Sequence, residues 1–238
     1  MIDINCDLGE GVNNEHLIMP LISSCNISCG AHAGSVETID KVMELAIKNK
    51  VKIGAHPSFP DRENFGRKVM HLSNSELQKS IEKQLLLFKE RADLQNATIH
   101  HVKPHGALYN VIAINSEKAM IVVKAIQSIY KVTKLYVPYD SEIEKVAQKN
   151  GIEIIYEAFA DRNYNDDLTL VSRSLPYAII NDKEEVLEHV KRMAYESKVK
   201  TVQDSLKHIK AQTFCVHGDN NNVIEIVEFL HQHLIIED

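Results

Sequence analysis

Over the first eight residues apolar and polar positions alternate strictly: Ile2, Ile4, Cys6 and Leu8 against Asp3, Asn5 and Asp7. A period of two puts each set on one face of a strand. Gly9-Glu10-Gly11 ends it, and a poorly patterned stretch follows to about Pro20. The alternation returns over Ser24 to Gly30, with Ile27, Cys29 and Ala31 opposite Asn26, Ser28, Gly30 and His32. It returns again where Val51, Ile53 and Ala55 oppose Lys52, Gly54 and His56. Further strands are predicted over Thr98 to Lys103, Lys134 to Pro138, Ile152 to Phe159, Tyr177 to Ile180 and Thr213 to His217.

Between these runs the period lengthens to that of a helix. Gly34-Ser35 opens a stripe of Val36, Ile39, Val42, Met43, Ala46 and Ile47. Ser73-x-x-Glu76 is a capping box ahead of Leu77, Ile81, Leu85 and Phe88. Asn115 or Ser116 caps a helix to about Tyr130, and Ser141-x-x-Glu144 a short one closed by Asn150-Gly151. Asp182-x-x-Glu185 caps a helix to about Ser197, Thr201 to Lys210 reads as a further short helix, and Asn221 to Ile235 is the last. After the fourth strand, Lys103-Pro104-His105-Gly106 breaks the chain with Pro and Gly before a helix can start. The stretch from Pro57 to Lys68 is long for a connection and therefore a candidate functional loop. Strands and helices alternate with no Gly/Ser linker and no repeat, so the expectation is one α/β domain, residues 1–238, with a parallel sheet. Seven or eight β/α units in 238 residues fit a closed barrel better than an open sheet.

Composition removes function classes. The net charge is −6, no basic block occurs, and aromatic residues are 6% with no Trp, so a nucleic-acid platform is not expected. Cys25 and Cys29 form a C-x₃-C pair, neither a redox nor a zinc-ribbon spacing. Met1 to Asn5 lacks the basic and apolar regions of a signal peptide. No run approaches the ~18 apolar residues of a membrane span. A cytoplasmic protein with reduced thiols and no membrane partner is expected.

The polar strand faces carry the chemistry. A parallel barrel buries both faces of its strands, which should then be almost continuously apolar. Here one face carries Asn5 and Asp7; Asn26, Ser28 and His32; Gly54 and His56; His101, Lys103 and His105; Glu157 and Asp161; Cys215, His217 and Asp219. Burying so many ionisable groups without a role would cost several kcal/mol each. Convergence on a wet cavity at the C-terminal mouth avoids that cost. His32, His56, His105 and His217 each close a predicted strand, whereas His16, His71, His189, His208, His231 and His233 lie in loops or helices. Asp7, Glu10, Glu157 and Asp161 supply carboxylates, and Lys103 and Arg67 can hold an anion. Asp and His together can hold a divalent metal with an open position for water, but the spacings are scattered and leave the metal unknown. No phosphate loop, dinucleotide fingerprint or serine elbow is present. Residue chemistry alone therefore reaches hydrolysis or proton transfer on a small polar molecule.

Eight stretches taken together go further. They are Asn5-Cys6-Asp7-Leu8-Gly9-Glu10, Asn26 to Gly34, Gly54-Ala55-His56-Pro57 with Phe65-Gly66-Arg67, Val102 to Asn110, Glu157 to Tyr164, Arg173-Ser174, and Cys215 to Asn220. In this order they span nearly the whole chain, which resembles the LamB/YcsF family, whose assigned role is that of the A-type component of 5-oxoprolinase (ATP-hydrolysing). The resemblance implies a β/α barrel of the kind shared with sugar deacetylases. It implies opening of the lactam of 5-oxo-L-proline to L-glutamate, with ATP, accompanied by Mg2+, converted to ADP and phosphate. It also implies partner subunits B and C that look like the halves of a carboxyltransferase-type protein. Strand-end position plus motif match makes Asp7, His32, His56, Lys103, His105, Glu157 and His217 the catalytic candidates. Asn5, Asn26, Arg67, Asn110, Asp161 and Arg162 are the substrate-binding candidates, and Tyr109 and Asn110 are placed on the pocket rim. A metal-dependent amidohydrolase or deacetylase working without ATP, and a non-catalytic subunit that binds a small carboxylate, stay open as rivals. The chain departs from the family pattern at Ala31, usually a large aromatic, at Ser35, usually acidic, and at Leu168, usually Gly; the segment between Gly11 and Pro20 is shorter than typical.

Overall fold

The computed structural model describes residues 2–236. Six strands alternate with helices along the chain: β1 (Asp3–Leu8), β2 (Ser24–Ser28), β3 (Lys52–His56), β4 (Ile99–Val102), β5 (Lys134–Pro138) and β6 (Glu153–Phe159). A small antiparallel ribbon, β7 (Lys198–Lys200) and β8 (Leu206–His208), precedes β9 (Thr213–His217), which pairs with both β6 and β1. The result is a closed barrel of seven strands in the order β1-β2-β3-β4-β5-β6-β9, every neighbouring pair parallel. Its helices are α1 (Glu15–Ile18), α2 (Val36–Asn49), α3 (Asn74–Leu94), α4 (Gly106–Ile114), α5 (Ser116–Ile129), α6 (Glu142–Lys149), α7 (Lys183–Glu196) and α8 (Val223–His233).

Local sequence sets most of these boundaries. Ser35 Oγ accepts the Thr38 N–H at 3.2 Å, Ser73 and Glu76 satisfy each other's backbone donors, and Asn115, Ser141 and Asp182 cap α5, α6 and α7 in the same way. Each cap is worth about 1 kcal/mol. The apolar strand face, with Ile4, Ile27, Ala55, Val102, Leu135, Ala158 and Val216 fully buried, packs in one core with Ile39, Met43, Phe88, Ile126 and Val227 from the helices. Burying each larger aliphatic or aromatic side chain contributes roughly 1.5–3 kcal/mol. None of the described helices is long and apolar enough to cross a membrane.

Four expectations are corrected. Tyr177 to Ile180 is not a barrel strand: it follows Pro176, and its ladder is a single antiparallel bridge from Ile179 to Arg162 inside the loop over the mouth. Thr201 to Lys210 is not a helix. The Thr201 N–H donates to the Ser205 carbonyl and Asp204 takes φ +62°, so the segment turns and pairs β8 with β7. The unpatterned stretch before Pro20 holds α1 and a 3₁₀ turn, Met19–Leu21, with Ile18 and Met19 buried. Finally, Pro104 and Gly106 admit a helix instead of breaking one. Gly106 opens α4 at φ +52°, and a Cβ there would lie 2.9 Å from the Gly66 carbonyl oxygen, which accepts the Ala107 N–H. Leu168, where the resembling family usually has Gly, sits at φ +64°, the left-handed region that a branched side chain resists.

Candidate active site

The inward faces of the strands stack in layers toward the C-terminal mouth. At the bottom, the Asp3 carboxylate accepts from Ser24 Oγ at 2.9 Å and Thr213 Oγ1 at 2.5 Å. One layer up, Asn5 Oδ1 accepts from Asn26 Nδ2 at 2.7 Å, and Asn26 Nδ2 also donates to Asp7 Oδ1 at 2.8 Å. His101 Nε2 lies 2.6 Å from Asn26 Oδ1, and its ring stacks on Tyr136 with centroids 3.8 Å apart. His101 fits because residue 54 is glycine: a Cβ there would come within 2.1 Å of His101 Nε2. The β3–β4 ladder shifts register at the same point, between Ile53 and Gly54.

Lys103 occupies the centre of the next layer, 1% exposed. Its Nζ is 2.8 Å from Asp7 Oδ1, 2.8 Å from Glu157 Oε1 and 3.0 Å from Cys215 Sγ. Burial by itself would lower the ammonium pKa, but Asp7, Cys215 and Glu157 outweigh it and hold the pKa well above its ordinary value. For Asp7, burial would raise the pKa, and His56 and Lys103 instead hold it well below the carboxylate range. Glu157 is less complete. Although Lys103 lies within ion-pair distance, among the described residues neither Glu157 oxygen makes a well-formed hydrogen bond, nor does the adjacent buried Tyr109 hydroxyl. Burial and Glu157 raise the pKa of Tyr109, so it stays a phenol.

On the β1–β4 side, three imidazoles gather around Glu10. Its Oε1 is 2.9 Å from His32 Nε2, 3.2 Å from His105 Nδ1 and 3.8 Å from His56 Nε2. His56 Nε2 is 2.9 Å from His105 Nδ1 and 3.4 Å from Asp7 Oδ2. The His32 and His105 rings are stacked, 3.8 Å apart and 5° from parallel. Burial pulls His32 down to about 4, so its ring is neutral near pH 7. For Glu10, burial would raise the pKa, and the contacts with His105 and His32 hold it well below the ordinary value. Glu10, His32, His56 and His105 can hold a metal ion, as can the smaller set Asp7, Cys215 and His217.

The β6–β9 side is cationic. His217 Nδ1 is 2.8 Å from Asp161 Oδ1, and Asp161 Oδ2 accepts from the His217 N–H and from Asn220 Nδ2, both at 3.1 Å. Burial would raise the Asp161 pKa; His217 and Asn220 bring it down to about 2. Arg162, 5% exposed, donates to the carbonyls of Ala178 and Val171 at 3.1 and 2.6 Å. Among the described residues no carboxylate pairs with it, and burial with the nearby Arg173 lowers its pKa to about 10. Farther out, Arg67 and Arg173 both pair with Asp219. Between the two sides lies a cavity of about 270 Å³, walled by Asp7, Glu10, His56, Lys103, His105 and Arg162 among others. That is just under the roughly 300–1,000 Å³ of drug-sized ligand pockets, so it suits only a small molecule.

Of the residues singled out in the sequence, Asp7, His56, Arg67, Lys103, His105, Asn110, Arg162 and His217 line this cavity. Asn5, Asn26, His32, Glu157 and Asp161 do not; they lie behind it and hold Asp7, Glu10, Lys103 or His217. Asn110 is on the exposed rim, but Tyr109 is not: it is 4% exposed, with its hydroxyl against Glu157. Glu10, Tyr109, Cys215 and Arg173 fall outside the catalytic and substrate-binding candidates of the sequence. The signal for Glu10 is its place between Gly9 and Gly11, whose φ values of +75° and +89° curl the chain back over the mouth.

The family model for the LamB/YcsF family matches residues 2–238. The A-type component of 5-oxoprolinase from Haemophilus influenzae (strain PittEE) is 38% identical over 233 residues, 98% of this chain and 95% of that protein. Its counterpart from Histophilus somni (strain 129Pt), also a 5-oxoprolinase A-type component, is 40% identical over 233 residues, covering 98% and 94%. The crystal structure of a lactam utilization protein from Thermus thermophilus superposes with a TM-score of 0.90 at 33% identity, covering 99% of this chain and 98% of that one.

Proposed function

The chain belongs to the LamB/YcsF family, and from that premise we propose that it is the lactam-hydrolysing subunit of an ATP-dependent 5-oxoprolinase, converting 5-oxo-L-proline to L-glutamate together with subunits B and C. Residues 1–238 act as one barrel unit, in the cytoplasm, where four buried free cysteines stay reduced. The observation that carries the reading is a small cavity with a buried, carboxylate-free Arg162 on one side and the Asp7–Lys103 pair on the other. Arg162, with Arg67 at the rim, takes the substrate carboxylate. The lactam carbonyl then points toward Lys103.

A lactam is a poor electrophile, and transfer of the ATP γ-phosphoryl group to its carbonyl oxygen makes it a good one. Subunits B and C supply the nucleotide, with Mg2+. Water adds to the ring carbon beside His56 and His105, Asp7 taking its proton, while Lys103 stabilises the developing negative charge. The C–N bond breaks as the ring nitrogen is protonated, with His217 as the shuttle. The acyl phosphate that remains loses phosphate to a second water. Each turnover yields one glutamate, one ADP and one phosphate. Asn5 and Asn26 orient Asp7, Glu157 orients Lys103, and His32 orients Glu10.

The test is 5-oxoproline-dependent formation of ADP and glutamate by the chain with its B and C partners. Asp7→Asn and Lys103→Ala are expected to lower kcat at least about 100-fold, the scale of a lost general base or charge-stabilising group. Near-normal turnover in folded variants removes those residues from the mechanism, and glutamate release by B and C without this chain overturns the reading.

A further inference from the structure

The hydrogen-bond partners of three buried imidazoles fix which of their nitrogens carry protons. His56 Nδ1 lies 2.6 Å from the Lys103 carbonyl oxygen, and His105 Nε2 lies 2.9 Å from the Phe65 carbonyl oxygen. A carbonyl only accepts, so both nitrogens are protonated. His32 Nδ1 meets Ser58 Oγ at 2.9 Å, and the Ser58 hydroxyl proton is committed to the Phe59 carbonyl at 2.8 Å. Ser58 therefore accepts from His32 Nδ1. In neutral rings the remaining nitrogens, His56 Nε2, His105 Nδ1 and His32 Nε2, present lone pairs. His56 Nε2 and His105 Nδ1 face each other at 2.9 Å, all three nitrogens approach the Glu10 carboxylate, and the four ligand atoms lie within 4.8 Å of one another.

Four electron-pair donors converging without a hydrogen between them repel. Protonating the rings relieves this poorly, because His32 and His105 are stacked face to face at 3.8 Å and a charge on each would oppose the other. One divalent cation takes the Glu10, His56 and His105 donors, whose two rings stand 85° apart, and the His32 ring turns out of its stack on His105 to add the fourth. A tetrahedral ion with bonds of ~2.0–2.1 Å sets its ligand atoms about 3.3 Å apart. Four of the six separations in the cluster are 2.9, 2.9, 3.2 and 3.8 Å, which bracket that spacing, and all lie within 4.8 Å. Carbonyl and hydroxyl acceptors behind each ring are also the usual outer partners of metal-bound histidine.

We propose that Glu10, His32, His56 and His105 form a binding site for one divalent transition-metal ion of the Zn2+ type. Three imidazoles and one carboxylate select such ions over Mg2+ and Ca2+, which take oxygen ligands. Glu10, His56 and His105 line the cavity beside Asp7, so a further coordination position opens toward bound water or substrate. An ion there would lower the pKa of its water and deliver it next to Asp7. The assignment rests on ring geometry and stands whether or not the substrate is a lactam.

The test uses the full chain, stripped with chelator, without ATP, 5-oxoproline or partners. Zn2+, Co2+ and Mg2+ are titrated in turn, with bound metal measured by elemental analysis and Co2+ followed by its visible absorption. One Zn2+ or Co2+ per chain is expected, with the intense bands of a four- or five-coordinate Co2+ site and no comparable uptake of Mg2+. His56→Gln or His105→Gln should weaken binding more than about 100-fold, and Ser58→Ala, which only releases the His32 tautomer, by roughly 10–100-fold. His71→Gln, outside the cluster, should change nothing. Folding of each variant is checked by circular dichroism, and the Co2+ spectrum of the unmodified chain does not depend on any variant folding. No stoichiometric Zn2+ or Co2+ uptake by the folded chain, or unchanged affinity in His105→Gln, overturns the proposal.

Discussion

His217, on the β6–β9 side of the mouth, and His56, on the β3–β4 side, are both strand-end histidines, yet their surroundings are opposite. Asp161 meets His217 with one oxygen on the ring and the other shared between the His217 backbone N–H and Asn220. Donors and acceptors there are matched, and the pair holds its own geometry. His56 turns its free nitrogen toward another imidazole and two carboxylates. Acceptors there are in excess. The contrast separates a histidine that builds the wall from one whose environment is completed by something outside the chain. Burial does not make that distinction: His189 on α7 is as buried as His105, has no partner at Nε2 among the described residues, and belongs to neither side.

Lys103 joins the two sides, so removing it breaks the comparison most severely. Lys103→Met leaves the Asp7 and Glu157 carboxylates buried without their cation and should lower the unfolding free energy by about 3–5 kcal/mol. Urea denaturation near pH 7 measures it; a loss below about 1 kcal/mol, the scale of a solvated pair, would show that water reaches these carboxylates and that the sides are not joined by charge.

His189→Leu sharpens the contrast next. Burial, then Arg192, lowers His189 from an ordinary value of 6.5 to about 4. The unfolded chain therefore binds a proton that the folded chain does not between these pH values. Stability falls as pH falls from about 6.5 to about 4, by on the order of 3 kcal/mol. In His189→Leu that component of the acid slope should be missing. An unchanged slope would show that His189 is protonated in the fold.

The third test concerns the matched pair. Asp161 goes from 3.8 to about 2, so its contribution is fully present above about pH 4 and is lost as pH falls through 2. Asp161→Asn should remove about 2 kcal/mol of this acid-range dependence. Parallel unfolding curves for variant and parent between about pH 4 and pH 2 would mean that the pair is not an ion pair in the folded chain.

Strand identity is legible in the sequence because period two is a local signal: β1 to β6 and β9 fall within about two residues of where alternation puts them. Helix starts are legible for the same reason, since Ser35, Ser73, Asn115, Ser141 and Asp182 act within their own turns. What escapes depends on partners distant in sequence. Gly106 opens a helix because the Gly66 carbonyl lies across from it, 40 positions earlier by number. Glu10 reaches the imidazoles only after the Gly9–Gly11 turn, where the alternation has ended. Tyr109 reads as rim because Pro104 and Gly106 hide the helix that drives it inward. The polar strand faces correctly mark the mouth, but a face does not say whether a side chain touches the cavity or the side chain in front of it. Asn5 and Asn26 are cases of the second kind.

The ring closes between the first strand and the last. Asp3 meets Thr213 across 210 positions of sequence, and Lys103 meets Cys215 across 112. Contacts of such separation form late, after the entropy of closing the intervening loops has been overcome. Until β9 docks, β1 and β6 are open edges and Lys103 lacks part of its surroundings. Assembly of the mouth is thus tied to the arrival of β9, so a ribosome-bound or truncated barrel lacking β9 would expose two strand edges before it could perform any chemistry.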